Sequence, residues 1–331
     1  MSIVGENKNA IKKTNSTKEL GFKQAFIDRY SLLTDWDAFA LSCTRYLRRS
    51  IRVNTLKISV SELHERLNKD WILTPIPWCA QGFWVEHRAG RRDLGNTLEH
   101  QLGYYYIQEA ASMIPPLALN PTRDSLGIDL CAAPGSKTSQ LAALMENSGC
   151  IIANDYRGDR LAPLGMNLLR SGVLNTVITL HQGERFKRFE NMFDWVLCDA
   201  PCSGTGTISK SWKTISIWNP HMITKLATQQ KGLLEAAYAA CKPGGTIVYS
   251  TCSLEPEENE GVVDHFLRKN PEAKVEKIEL LTLKTSPAVL SFDGADYDHQ
   301  LEHALRIWPQ DNDTEGFFVC KILKKSPSAH F

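Results

Sequence analysis

The chain has 331 residues, of which 43% are hydrophobic and 23% are charged, and its formal net charge is +1. This composition is typical of a soluble globular protein, and the length allows one large domain beside a smaller one. No run of 18 or more apolar residues occurs in the sequence, which argues against a membrane-spanning helix. The polar residues 1–20 lack the apolar core of a secretory signal, and we predict that they form a mobile leader.

Nine cysteines are scattered through the sequence, and no two of them form a Cys-x-x-Cys pair. This spacing argues against a zinc ribbon and a thioredoxin-type motif, and the histidines show no metal-ligand spacing, so no metal site is predicted. Free thiols persist in reducing compartments. We therefore expect a cytoplasmic protein.

Basic residues are concentrated near the N-terminus. The first 57 residues contain 11 Lys or Arg against 5 Asp or Glu. Such an excess suits a surface that contacts a polyanion, although a basic face exposed to water explains the charge equally well. The candidate contacts in this region are Arg45, Arg48, Arg49 and Arg52.

Residues 21–115 mix helical and strand-like patterns and are predicted to form a small α+β domain that contains the basic cluster. A Pro115-Pro116 pair punctuates the chain, and we place the boundary with the next domain there. The predicted elements are a helix at Phe22–Leu33, a strand at Ile51–Asn54, a helix at Val60–Leu67 and a β-rich segment at Trp71–Glu86.

Strands and helices alternate over residues 116–325, which predicts βαβ units and a mostly parallel, Rossmann-like sheet with helices on both faces. Residues 326–331 are predicted to be a tail. The predicted strands are Leu126–Cys131, Cys150–Asn154, Thr176–Leu180, Trp195–Cys198, Thr246–Tyr249 and Phe317–Leu323. The predicted helices are Lys137–Met145, Asp159–Arg170, Ile223–Cys241 and Glu257–Arg268.

Two of these strands lead directly into a cysteine. Cys202 lies in the sequence Asp-Ala-Pro-Cys-Ser-Gly at 199–204, and Cys252 lies in Ser-Thr-Cys-Ser at 250–253. Ligands of open α/β sheets bind beyond the carboxyl ends of the strands. We therefore interpret the two thiols as a sign of covalent chemistry rather than packing.

The turn after the first of these strands is a candidate cofactor site. Its small residues allow a ligand to approach the backbone, and the next helix offers free N–H groups. The turn matches neither Gly-x-Gly-x-x-Gly nor a Walker A loop, and an ordinary βα turn is the alternative. After the second strand, Asp155 is placed to accept hydrogen bonds from ribose hydroxyls. The turn comprises Cys131, Ala132, Ala133, Pro134, Gly135, Ser136 and Lys137.

Several sequence blocks resemble the motifs of the Sun/nucleolar-protein family of S-adenosylmethionine-dependent RNA cytosine-5 methyltransferases. The resemblance covers residues 45–325 and implies a class I methyltransferase fold. The Thr74–Cys79 segment is most similar to the bacterial branch that acts on small-subunit ribosomal RNA. The blocks that carry the resemblance are Arg52–Lys57, Tyr106–Met113, Asp129–Thr138, Asp199–Gly206, Ser250–Glu260 and Arg306–Val319.

The resemblance also implies which residues hold the cofactor. The turn from Cys131 to Lys137 would line the S-adenosylmethionine site, with Asp155 on the ribose and Arg160 helping to hold the ligand. Gln182 stands where the family commonly has an acidic residue near the adenine, and its carbonyl can accept from the adenine amino group.

For catalysis, the resemblance implies that Cys252 attacks carbon 6 of the cytosine and that Cys202 releases the product. Asp199 would lie close to both the cofactor and the base, where it positions the base through its amino group and N3. DNA cytosine-5 methyltransferases use the other cysteine position, so the paired thiols indicate RNA, and no DNA partner is expected.

The implied substrate is a cytosine in 16S rRNA, with tRNA as the alternative, and we expect a monomer without a membrane partner. Lys210 and Lys213 flank Trp212 after the Cys202 loop and are predicted to contact RNA. The α+β domain at residues 21–115, with its basic cluster, is the predicted RNA-binding domain. A different class of function is a non-catalytic RNA-binding factor in ribosome assembly. An NAD-dependent dehydrogenase would share the sheet, but the sequence lacks its glycine fingerprint.

Overall fold

The computed structural model describes residues 21–280 and 282–326. The predicted leader (residues 1–20) and most of the predicted tail (residues 326–331) therefore lie outside the described residues. A small antiparallel sheet forms near the N-terminus, and a larger mixed sheet follows after residue 125. Within the described ranges, no helix is both long and apolar enough to cross a lipid bilayer.

The N-terminal elements are, in chain order, α1 (Gln24–Ser31), α2 (Trp36–Thr44), β1 (Ser50–Val53), α3 (Val60–Leu67), β2 (Trp71–Ile76), β3 (Cys79–His87), α4 (Leu98–Gln101) and β4 (Tyr105–Ile107). The small sheet has the strand order β2-β3-β1-β4. Leu63 of α3 packs with Ile51 and Phe83 of the sheet in one apolar cluster. Ser59 and Glu62 form a capping box that starts α3 at the predicted residue.

Helices α1 and α2 pack against the C-terminal part of the chain. The rings of Tyr30 and Phe39 lie 6.1 and 5.7 Å from that of Trp308. Phe26 lies 5.1 Å from Trp218, measured between ring centroids. The two helices therefore share a core with loops of the large sheet, although the sequence pattern groups them with the small sheet.

The second part of the chain surrounds the large sheet. Its strands are β5 (Leu126–Asp129), β6 (Cys150–Asp155), β7 (Thr176–Leu180), β8 (Phe193–Asp199), β9 (Cys241–Thr251), β10 (Ala273–Glu276), β11 (Ser291–Phe292), β12 (Ala295–Asp296), β13 (Leu305–Ile307) and β14 (Phe317–Lys324). Its helices are α5 (Ile114–Leu119), α6 (Ser136–Leu144), α7 (Leu161–Ser171), α8 (Lys213–Ile217), α9 (Pro220–Ala240), α10 (Glu260–Lys269) and α11 (Pro309–Asn312).

The large sheet has the order β10-β14-β9-β8-β5-β6-β7, and β13 pairs with β14. Strands β5 to β9 are parallel to one another, whereas β14 runs antiparallel to its neighbours β9 and β10. The predicted Rossmann-like sheet is confirmed. The strand order reverses between β5 and β8, and a crevice at such a reversal is where α/β proteins bind ligands.

Several short elements differ from the sequence prediction, among them helices α2, α5 and α8, which the sequence pattern did not indicate. Strands β10 and β13 are only four and three residues long, too short to give an alternating pattern, and they were not predicted. The Pro115-Pro116 pair does not interrupt the chain but occupies the first turn of α5. Proline suits that position because the first helical N–H groups have no partner in the helix.

A buried ion pair joins β13 to α10. The guanidinium of Arg306 donates to both oxygens of Glu260 (2.8 and 2.5 Å) and to the carbonyl of Leu254 (2.9 Å). Both side chains are almost completely buried. This pair supports the loop that contains Cys252, because Leu254 lies two residues after that cysteine.

Replacing Arg306 with methionine should destabilise the fold by about 3–5 kcal/mol, because Glu260 would keep a buried charge without a partner. Urea denaturation measures this change. The control is Arg268→Met, which removes an exposed partner of Asp264 and should shift the unfolding midpoint little. Similar shifts in both variants would contradict the structural importance of the buried pair.

Candidate active site

The ends of β8 and β9 bring the two predicted catalytic cysteines together. Cys202 Sγ lies 3.3 Å from Cys252 Sγ, and both are free thiols. The neighbouring strands are parallel, with Asp199 opposite Ser250 in the register. Each chain therefore leaves the sheet at the same edge, which places the two loops side by side.

An ion pair stands beside the thiols. Lys137 Nζ, from the first turn of α6, donates to Asp199 Oδ2 at 2.6 Å, and the Ser250 hydroxyl donates to Asp199 Oδ1 at 2.8 Å. Burial favours the neutral amine, but the carboxylate of Asp199 outweighs it and raises the pKa of Lys137. The negative charge of a Cys252 thiolate acts in the same direction. Lys137 is therefore a cation next to Cys252.

The two cysteines differ in their electrostatic surroundings. The hydrogen bond with Cys252, together with burial, raises the pKa of Cys202 well above that of an ordinary thiol, and the charge of Glu258 adds to this effect. Glu258 is buried between the two cysteine loops, where it accepts from Ser203 N–H (2.9 Å) and from the Ser253 hydroxyl (2.7 Å). The raised pKa keeps the Cys202 thiol protonated at neutral pH, so it can donate to the sulfur of Cys252.

A cavity of about 500 Å³ opens at this edge of the sheet. The predicted site residues that line it are Cys131, Ala132, Ala133, Pro134, Ser136, Lys137, Arg160, Asp199, Lys210 and Cys252, whereas Cys202 and Gly135 are not among its lining residues. The cavity wall also includes residues that sequence reasoning did not single out, namely Asp129, Glu109, Glu315 and Phe317.

The turn after β5 forms one wall of the cavity. Gly135 has φ of +101°, and a Cβ added there would lie 3.0 Å from the side chain of Leu164. A glycine is therefore required at this position. Asp129 ends β5, and burial raises its pKa to about 7. Among the described residues, Asp129 Oδ1 is buried without a hydrogen-bond partner.

Asp155 supports this turn through hydrogen bonds to the backbone. It is buried, and its carboxylate accepts from the N–H groups of Ala133 (3.2 Å) and Arg157 (3.0 Å). Arg160 lies 3.5 Å from the same carboxylate and donates to the carbonyl oxygen of Ala133. Asp155 and Arg160 thus hold the backbone of the turn. The contact of Asp155 with a ribose and the part of Arg160 in holding the cofactor stay predictions.

Gln182 lies on a second cavity of about 300 Å³ rather than on the first. Leu130, Tyr156 and Pro201 line this second cavity with it, and Cys131 borders both cavities. The two cavities are therefore adjacent, with Cys131 between them. Tyr156 was missed because an aromatic residue after a strand carries no chemical signature in the sequence.

The residues predicted to contact RNA fall into two groups. Arg45, Arg48, Arg49, Lys210 and Lys213 are exposed. Arg48 stacks over the Trp84 ring at 3.7 Å and pairs with Asp313, and Lys210 lies 3.6 Å from Glu315. The exposed group is compatible with a binding surface.

The prediction for Arg52 is wrong. Arg52 is only 3% exposed, and burial lowers its pKa to about 10. Its guanidinium donates to the carbonyl of Ser136 and the hydroxyl of Ser139, both at 2.9 Å. Strand β1 is buried along its whole length, so this arginine ties the small sheet to α6 and cannot reach a phosphate.

The fold and the site together define a Rossmann-like methyltransferase with a cysteine pair at the catalytic edge. Residues 116–323 match the family described as 16S rRNA methyltransferase RsmB/F, and residues 22–110 match the N-terminal domain of 16S rRNA methyltransferase RsmF. The chain belongs to the RsmB/F family, which confirms the resemblance in the sequence. Enzymes of this family are S-adenosylmethionine-dependent RNA cytosine-5 methyltransferases.

Individual relatives differ in their stated substrate. A tRNA (cytosine(49)-C(5))-methyltransferase from Pyrococcus abyssi is 46% identical, over 90% of this chain and 95% of the relative. Ribosomal RNA small subunit methyltransferase F from Shewanella frigidimarina is 44% identical, over 87% of this chain but only 58% of the relative. The crystal structure of a methyltransferase homolog from Pyrococcus horikoshii superposes with a TM-score of 0.83 at 37% identity and covers 93% of this chain and 97% of that one.

Proposed function

We propose that this protein methylates carbon 5 of a specific cytosine in RNA, with 16S rRNA as the first candidate substrate. The observation that carries the proposal is the Cys202–Cys252 pair, whose sulfurs are 3.3 Å apart. The Lys137–Asp199 ion pair stands next to it on the wall of the same cavity. A thiol pair, a buried cation and a base-sized cavity are the groups that this reaction requires.

The residues at the site fit S-adenosylmethionine. The turn from Cys131 to Ser136 lets a ligand approach the backbone, and the buried Asp129 Oδ1, which has no partner within residues 21–280 and 282–326, suits a cationic amino group. The second cavity, with Gln182 and Tyr156, suits an adenine beside it. When bound, S-adenosylmethionine supplies an electrophilic methyl group.

Cys252 is the proposed nucleophile. Carbon 5 of cytosine is too poor a nucleophile to take a methyl group unaided, and a bond from Cys252 Sγ to carbon 6 makes carbon 5 enamine-like and reactive. An ordinary cysteine is only a few per cent thiolate at neutral pH. The cationic Lys137 beside Cys252 and the protonated Cys202 that can donate to it both stabilise the attacking anion.

Cys202 is the proposed release residue. After the methyl group has been added, Cys202, once it has given its own proton to solvent, takes the proton from carbon 5 as a thiolate. The electron pair of that C–H bond restores the double bond between carbons 5 and 6, and the bond between carbon 6 and sulfur breaks to expel the Cys252 thiolate. Cys202 Sγ is the ionisable group next to Cys252 Sγ. It is therefore placed to take part in the proton movements that end in elimination.

Asp199 is the proposed contact for the target base. Its carboxylate is partly exposed to the cavity while Lys137 and Ser250 hold it in place. A carboxylate can accept from the cytosine amino group, which uracil lacks. The base must leave its stack for attack at carbon 6, so the target is flipped out or unpaired.

A second candidate substrate is tRNA, because the Pyrococcus abyssi tRNA enzyme matches this chain over nearly its full length. The 16S rRNA enzymes match as well, but this chain spans 58% of the length of the Shewanella frigidimarina relative. Bisulfite sequencing of RNA from cells that lack the protein separates the two. Loss of one 5-methylcytosine from 16S rRNA supports the first candidate, and loss from tRNA supports the second.

Transfer of a radiolabelled methyl group from S-adenosylmethionine to purified RNA tests the activity itself. Incorporation that is recovered as 5-methylcytosine supports the proposal. A protein that binds RNA without incorporation would instead be the non-catalytic assembly factor. We also infer a cytoplasmic monomer without a DNA or membrane partner; the free state of all nine cysteines, each within the described residues, is compatible with a reducing compartment.

The exposed lysines after the Cys202 loop should contribute to RNA binding. In a Lys210→Ala/Lys213→Ala variant, the slope of log affinity against log salt should fall by about 1.4, the value for two lost phosphate contacts on single-stranded RNA. Fluorescence anisotropy over a salt series measures the slope. Lys277→Ala, an exposed change beyond edge strand β10, should leave it unchanged, and an unchanged slope in the double variant would remove these lysines from the interface.

A further inference from the structure

Glu315 is a buried carboxylate on the wall of the catalytic cavity to which no role has yet been given. It lies two residues before β14 and is 5% exposed. Its side chain lines the same cavity as Cys252 and Asp199. Within the part of the chain that the structure describes, its Oε1 is buried without a hydrogen-bond partner. The nearest cation is Lys210, whose Nζ lies 3.6 Å from Oε1.

The backbone holds Glu315 firmly against the nucleophile loop. Its N–H donates to Glu109 Oε1 at 3.1 Å. The next N–H, that of Gly316, donates to the carbonyl of Gly206 at 2.9 Å, and the N–H of Gly206 donates to the carbonyl of Cys252 at 2.9 Å. The position of Glu315 relative to Cys252 is therefore set by two successive backbone hydrogen bonds.

Neighbouring carboxylates in the cavity are already engaged. Glu109 accepts from three backbone N–H groups, those of Ala111, Ser112 and Glu315. Asp199 accepts from Lys137 on one oxygen and from Ser250 on the other. Among the described residues, Asp129 Oδ1 also lacks a hydrogen-bond partner, but Asp129 ends β5 and lies beside the turn from Cys131 to Lys137. Glu315 thus offers an open acceptor on the cysteine side of the cavity.

A buried acceptor without a donor costs folding free energy. Such a group is easiest to explain when a ligand supplies the missing donor. The proposed reaction brings a cytosine into this cavity, and the exocyclic amino group of cytosine carries two hydrogens. Asp199 can accept only one of them in a good geometry, which leaves the other for a second acceptor.

We propose that Glu315 accepts a hydrogen bond from the exocyclic amino group of the target cytosine and thereby helps the enzyme to select cytosine over uracil. Uracil presents a carbonyl oxygen at that position, which a carboxylate repels. Glu315 is a specificity-determining residue in this account. Burial raises the pKa of its carboxyl group, and the charge of Lys210, 3.6 Å away, acts against that shift. The inference rests on the proposed function of the site.

The test compares two RNAs that differ only in the target base. One contains 5-fluorocytidine, and the other contains the same fluorinated ring without the amino group, a 5-fluoro-2-pyrimidinone. Fluorine at carbon 5 prevents elimination, so both bases trap the covalent protein–RNA adduct in the presence of S-adenosylmethionine. The rate of adduct formation is measured under single-turnover conditions for wild-type protein, Glu315→Ala and Glu315→Gln.

Glu315→Ala should slow adduct formation about 10- to 100-fold on 5-fluorocytidine, the usual range for one lost base contact, and less than about threefold on the ring without the amino group. Glu302→Ala is the matched control, because it removes an exposed carboxylate that does not line the cavity, and it should leave both rates unchanged. Equal losses for Glu315→Ala on both RNAs, or no loss on 5-fluorocytidine, would overturn the inference. Failure of the wild-type protein to form either adduct would overturn the proposed function and this inference with it.

Discussion

Replacing Cys252 with alanine should abolish methyl transfer, whereas replacing Cys202 with alanine should leave the protein covalently trapped on its RNA. Loss of the nucleophile removes the bond to carbon 6, and we expect the rate to fall by at least about 10⁴-fold. Loss of Cys202 leaves attack by Cys252 possible but removes the neighbouring thiol that assists elimination. Methyl transfer assays and denaturing gels of protein–RNA mixtures measure the two effects.

The control for both variants is Cys150→Ala, which removes a thiol at the start of β6, the end of that strand away from the catalytic edge. This variant should keep full activity and form no stable adduct. We expect a stable protein–RNA adduct with Cys202→Ala and none with Cys252→Ala. An adduct that forms with Cys252→Ala but not with Cys202→Ala would contradict the proposed roles. That outcome would exchange the two roles.

Removing the charge of Lys137 should have the second largest effect. Lys137→Met leaves Asp199 without its partner and takes away the cation beside Cys252. We expect turnover to fall by about 10²- to 10³-fold, as for other preorganised electrostatic groups. Stability should fall by about 2 kcal/mol, less than for a completely buried pair because Asp199 is partly exposed.

A double-mutant cycle with Asp199→Asn separates these effects. Because the two residues interact directly, Lys137→Met/Asp199→Asn should be destabilised by less than the sum of the two single variants, with a coupling energy of about 1–3 kcal/mol in urea denaturation. Additive stabilities would show that the ion pair contributes nothing to the fold. Wild-type turnover in Lys137→Met would show that the cation does not act in catalysis.

The sequence predicted the large sheet well because its strands are apolar and separated by amphipathic helices. Strand β7 was predicted at its observed bounds, Thr176–Leu180. Strands β10 and β13 were not predicted because both are short, and β10 in addition pairs with β14, which is distant in sequence. The sequence also could not show which part of the chain packs against helices α1 and α2, since periodicity reveals an apolar face but not what covers it.

The site residues could be predicted where a strand end determines their position, but not where burial determines their role. The position of Cys202 and Cys252 at strand ends placed both thiols at one edge, since parallel neighbours end together. Glu258 and Glu315 were not singled out, because nothing local distinguishes a buried carboxylate from a surface one. Arg52 was assigned to RNA for a related reason: charge clustering in sequence does not show that β1 is buried on both faces.

The most direct test of the central claim is to identify the sulfur that bonds to the base. The protein is incubated with S-adenosylmethionine and RNA that contains 5-fluorocytidine at the target position, and the trapped adduct is digested and mapped by mass spectrometry. The account predicts that the modified peptide carries the nucleotide on Cys252. Attachment to Cys202, or methyl transfer to carbon 5 without any covalent adduct, would contradict it.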